Sequence, residues 1–134
     1  MKNKTSSGQS LLEVMVALGM SVLVLTSLVA VVVISIRNAR FAKNQSLATK
    51  YAQEGIEKMR IYRDQVDNWA TFKANCQNEN VIGFTSVPSS FTASIDECVE
   101  AGNPERVRIT IKVSWTESNK THKSQLTTYL TEWE

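Results

Sequence analysis

Histidine occurs once in these 134 residues, cysteine twice and proline twice. A zinc centre uses four protein ligands, or three plus water, and here only His122, Cys76 and Cys98 are on offer, so no metal site is expected. No glycine-rich phosphate loop occurs and no nucleophile has a base at a meaningful spacing, which argues against an enzyme and against a bound cofactor. Basic excess is also missing: 15 Lys and Arg stand against 13 Asp and Glu, too even a balance for charge-driven nucleic-acid binding. Both prolines, Pro88 and Pro104, lie in the C-terminal half, so nothing in Arg37 to Asp67 breaks a helix. The most informative absence is charge itself. From Val14 to Ile36 run 23 residues with no ionisable side chain.

That run, with Gln9 to Glu13 before it, organises the chain. It is broken only by Gly19 and the small hydroxyls Ser21, Thr26, Ser27 and Ser35. As a helix rising ~1.5 Å per residue it would be roughly 35 Å long, enough to cross the ~30 Å hydrocarbon layer of a bilayer. Its one charge, Glu13, sits at the N-terminal edge. Charged residues cost roughly 2.5–3.5 kcal/mol at mid-bilayer and less toward an end. Two readings follow: Glu13 lies in the headgroup region, or it pairs with a cation supplied by another chain.

Residues 1–8, MKNKTSSG, form a basic, hydrophilic leader. A secretory signal would place small residues in an A-x-A-like arrangement after the apolar stretch. Here the candidate processing residue, Gly8, precedes it, and the apolar segment is expected to be kept. The run Gly8-Gln9-Ser10-Leu11-Leu12-Glu13-Val14, followed by MVAL, resembles the cleavage and methylation motif of type IV prepilins. The resemblance covers about the first quarter of the chain. It implies cleavage by a prepilin peptidase between Gly8 and Gln9, N-methylation of Gln9, and an assembly role for Glu13 as fifth residue of the mature chain. It also implies other pilin subunits as partners through the N-terminal helix, and membrane lipid around it. Gln9 departs from the family pattern, which has an aromatic or apolar residue there.

The remaining chain divides into 9–36, the membrane and assembly half of a long helix; 37–67, its amphipathic half; and 68–134, a small β-rich soluble domain. Ala48, Ala52, Gly55, Met59, Tyr62 and Val66 recur at three- and four-residue steps, a stripe that fits packing against the chain's own sheet. Arg37, Arg40 and Lys43 form a positive cluster just past the apolar run, suited to headgroup contact. Charge bias does not orient the segment, because the leader is basic too. The prepilin resemblance and the cysteines place the C-terminal domain outside the inner or cytoplasmic membrane.

Residues 68–103 read as loop with short extended pieces, among them Phe91 to Ile95. Asp96, Glu97 and Glu100 read as a solvated face. Val107 to Trp115 alternates as a half-buried strand, and Lys123 to Trp133 would pair antiparallel with it, with Leu126 and Leu130 toward the helix and Tyr129 and Trp133 on the other face or an edge. His122 is expected to face solvent at the hairpin's polar end. Asn119-Lys120-Thr121 matches the three-residue glycosylation pattern. Cys76 and Cys98 either form a disulfide, worth about 3 kcal/mol by chain entropy, or stay as buried thiols.

The expected fold is α+β: a long N-terminal hydrophobic helix with a small antiparallel sheet packed on its C-terminal half, as in pilins. The expected function is a structural, minor-type subunit of a type IV pilus or of a type II secretion pseudopilus. Two alternatives stand beside it. One is a single-pass membrane protein with a small ligand-binding outer domain. The other is a DNA-uptake subunit using Arg106, Arg108 and Lys112, although nucleic acid fits poorly with so few charges.

Overall fold

The computed structural model describes residues 7–79, 83, 87–102 and 105–132, with residues 7–9 described by their backbone alone. Expectations that concern the leader up to Ser6, Asn103, Pro104 and Trp133 lie outside these residues. The chain divides into two compact units, Met1–Arg40 and Phe41–Glu134.

Helix α1 (Ser7–Gln65) is a single 59-residue helix. Its first half is rich in valine, whose stiff branched side chain is a modest helix former in water. In an apolar surround the balance changes, because a helix satisfies every backbone N–H and C=O within its own segment. The helix stops at Gln65, two residues before Asp67, because the next helix needs an extended residue at its start. Asn68 supplies it, at φ −140° and ψ 126°, and its side chain accepts the Ala70 N–H at 2.8 Å. Helix α2 (Trp69–Asn75) therefore occupies a stretch read from sequence as loop.

Three strands follow: β1 (Phe91–Glu100), β2 (Arg106–Glu117) and β3 (Lys120–Thr131), in the order β1-β2-β3 with both pairings antiparallel. β1 is twice as long as the expected Phe91–Ile95 piece, and it joins the two expected paired strands as the third strand of the sheet. The register shifts between Ile95 and Glu97, leaving Asp96 as an extra residue. Since strand side chains alternate, that extra residue changes which face the rest of β1 presents. Ile95 pairs with Ile111 and Cys98 with Ile109, so Cys98 is turned inward toward Cys76.

The core forms where the second half of α1 meets the inner sheet face. Ala48, Ala52 and Met59 are completely buried, as are Ile109, Ile111 and Val113. Two alanines on the contacting stripe let the helix backbone come close to the sheet, and Ile56 and Met59 fill the space beyond them. Aromatic rings close both ends of this contact. Tyr51 meets Phe91 at 5.4 Å, Phe41 meets His122 at 5.1 Å, and Trp69 stacks on Phe72 at 5.2 Å. His122 is thus half-buried between Phe41 and Trp115. The solvent-facing expectation for it is corrected, since the strand alternation turns position 122 to the inner face.

Candidate functional site

The apolar half of α1 is almost entirely uncovered. Its large side chains from Leu11 to Ile36 range from 42% exposed at Val33 to 69% at Leu23. Keeping this apolar surface in water costs ~25 cal/mol per Å² relative to covering it, so it needs lipid or other chains. Among the described residues α1 is the one helix long and apolar enough to cross a membrane. Its hydroxyls suit that medium. Ser21 donates to the Ala17 carbonyl at 2.8 Å, Thr26 to that of Val22 at 3.0 Å and Ser27 to that of Leu23 at 2.8 Å. Each of these three hydroxyl hydrogens is spent inside the helix, so none of the three asks for a partner in lipid.

Glu13 differs from these hydroxyls. It is exposed, and it lies beside Leu12, Val16, Ala17 and Met20 along a shallow apolar groove. The nearest cation of a described residue is Arg37, 24 positions along the same helix and so roughly 36 Å away. An ion pair within the described chain is therefore out of reach. The Gly8–Gln9 peptide lies in the first turn of α1. Arg37, Arg40 and Lys43 follow the apolar run on the same helix and are exposed.

Cys76 and Cys98 are joined as a disulfide with Cα atoms 6.1 Å apart. It ties the end of α2 to β1, and the Gln77 side-chain amide adds a hydrogen bond to the Cys98 carbonyl at 3.2 Å. The acids flanking Cys98 are engaged with cations of the same chain. Glu97 pairs with Arg108 at 3.2 Å, Glu100 with Lys73 at 2.9 Å, and Asp96 with Lys112. Lys112 holds the Asp96 carboxyl below its ordinary pKa, and Lys73 does the same for Glu105 while its own pKa is raised by Glu105 and Glu100. Two of the three cations offered for DNA, Arg108 and Lys112, are thereby neutralised. The third, Arg106, donates to the Ala101 carbonyl at 2.9 Å and lies over the half-exposed Tyr129 ring at 4.7 Å.

No three His, Cys, Asp or Glu side chains converge on one point among the described residues. Asn119 stands exposed in the two-residue β2–β3 turn. Sequence reasoning missed α2 and the aromatic setting of His122. Asn68, a strong N-cap residue, was the available signal for the first; the phase of β3 was the signal for the second. The chain matches no protein-family model, no curated protein and no solved structure.

Proposed function

We propose that this chain is a structural, minor-type subunit of a type IV pilus or pseudopilus, processed by a prepilin peptidase between Gly8 and Gln9 and assembled through its N-terminal helix. The observation that carries the reading is Glu13: one carboxylate on an exposed apolar helix, with no described cation of its own chain in reach. An acid there is costly unless a second chain supplies the positive charge, and assembly supplies one in the α-amino group of a neighbouring Gln9. The motif around Gly8 and the internally satisfied hydroxyls of the same helix support this reading. In it the chain sits in the inner or cytoplasmic membrane before assembly, with the sheet domain outside, where the Cys76–Cys98 bond is stable. Neutralisation of Arg108 and Lys112 within the sheet removes support from the DNA-uptake alternative.

Intact mass and N-terminal sequencing of the protein from its native membrane test this reading. A chain that begins at Gln9 and carries one extra methyl group is the expected result. A chain still beginning at Met1 rejects it in favour of a membrane-tethered receptor.

A further inference from the structure

The two edges of the sheet are unequal. The β1 edge is guarded by the Asp96 bulge, by α2 bonded to it through Cys76–Cys98, by the Gln77 amide on the Cys98 carbonyl, and by the charges of Glu97 and Glu100. The β3 edge has no bulge and no helix tied to it by a disulfide; its only charged side chains are Lys120 and Lys123. Its register with β2 runs without a shift from Arg106↔Thr131 to Glu117↔Lys120, and it contains no proline.

The turn fixes which backbone groups of β3 are spent. Glu117 and Lys120 close a two-residue turn, so theirs is a hydrogen-bonded pair, and pairs alternate from there. His122, Ser124, Leu126, Thr128 and Leu130 direct their N–H and C=O groups to β2. Those of Thr121, Lys123, Gln125, Thr127 and Tyr129 point outward, with no backbone partner among the described residues.

Beside this edge runs an open groove between β3 and α1, lined by Ile56 and Leu126 with Gln53, Glu57 and Arg60 along the helix side. The other flank of α1 is covered: Lys58 donates to the Gly83 carbonyl at 2.6 Å, and Tyr51 packs on Phe91.

We infer that the β3 edge and this groove accept an extended segment of a different polypeptide as a fourth, antiparallel strand. The segment carries an aliphatic residue across from Leu126 and an acid across from Lys123. A row of alternating outward N–H and C=O groups is matched by another extended backbone. The apolar floor of Ile56 and Leu126 sets the inward side chain, and Lys123 sets the charge on the outer face: it lies near Asp96, but that carboxylate is already held by Lys112 and the Gln125 amide, and Lys123 makes no ion pair of its own among the described residues. A second copy fits poorly at either edge. Its β1 is guarded, and β3 against β3 requires a two-fold axis normal to the sheet, which points the two α1 helices in opposite directions. That exclusion rests on reading both copies as tethered in one membrane.

The test uses the full chain in detergent micelles and amide hydrogen exchange followed residue by residue, with the peptide Thr-Val-Thr-Val-Thr-Val-Glu-Thr as probe. At ten times its dissociation constant the peptide should slow exchange at Lys123, Gln125 and Thr127 about tenfold. Gln125→Pro removes an outward N–H, and with the side chain its bond to Asp96, but leaves every β2–β3 backbone bond in place, so it should abolish the slowing while Ile111 and Val113 stay protected. Equal slowing by a peptide with asparagine in place of each valine overturns the proposal, as does no slowing at about millimolar peptide, the weak limit for specific recognition. Edge protection that rises with protein concentration and needs no peptide overturns it in favour of a second copy. None of these outcomes bears on the N-terminal mass that tests the pilin reading.

Discussion

Asp96 is skipped by the β1–β2 register, yet it holds two partners on the outer sheet face, Lys112 and the Gln125 amide at 2.8 Å. Its carboxyl is held low chiefly by the hydrogen bond from Lys112. A carboxyl whose pKa is lower in the folded chain stabilises the fold above its unfolded pKa, and that contribution is lost as pH falls through the folded value. Resistance to thermal unfolding should therefore fall below about pH 4, where free aspartate is roughly half protonated. Asp96→Asn should flatten that acid slope. An unchanged slope in the variant would show that the pair contributes nothing. The hairpin turn is a second residue-scale feature. Ser118 and Asn119 both hold positive φ, 51° and 64°, as a type I′ turn requires. Serine is a poor choice there, since the left-handed region costs non-glycine residues roughly 1–2 kcal/mol. The double change Ser118→Asn and Asn119→Gly should raise stability by roughly 0.5–1 kcal/mol in urea unfolding, and Ser118→Val should lower it by about 1 kcal/mol.

At the scale of elements, the disulfide and the helix stripe do different work. Cys76–Cys98 closes a loop with a sequence separation of 22 that holds α2 against β1, while the stripe buries the apolar interior. Replacing both cysteines by serine should cost about 3 kcal/mol by loop entropy and loosen α2 first, visible as faster amide exchange at Phe72. Met59→Ala opens a cavity at a completely buried site and should cost roughly 2–5 kcal/mol. Both elements of this contact were legible in the sequence, because period 3.6 marked Ala48, Ala52 and Met59 and period 2 marked Val107 to Trp115. β1 was only half legible. The Asp96 bulge breaks its alternation midway, so the run beyond Ile95 carried no period to read. The short helix α2 was hidden for a different reason: seven residues hold less than two full turns, too few for a stripe to repeat. His122 was misjudged because its place followed from strand phase and a partner, Phe41, far away in sequence. Of the candidate site, the long apolar helix and the lone position of Glu13 were visible at once, since both are properties of uninterrupted sequence.

For the whole molecule, the proposed pilin role makes one side chain separate membrane residence from assembly. The apolar half of α1 has surface enough to stay in a bilayer without Glu13, since its large side chains are exposed along the whole length of the run. Removing the acid therefore cannot weaken insertion, and on translocon scales it favours it by up to roughly 2.5–3.5 kcal/mol, less for a residue near the segment end. In the proposed filament the same acid offsets a neighbour's α-amino charge, and that contact exists only between chains. Glu13→Val should leave the protein in the membrane fraction at wild-type amount, still cut after Gly8, and should block or retard its entry into filaments. Glu13→Gln separates charge from hydrogen bonding: it keeps an acceptor of the same size without the charge, and under the pairing argument it fails as Glu13→Val does. Membrane fractionation and incorporation into sheared filaments, measured side by side, check both variants. Normal incorporation of Glu13→Val would show that the acid belongs to the headgroup region instead, where its loss matters little because water already offsets the charge.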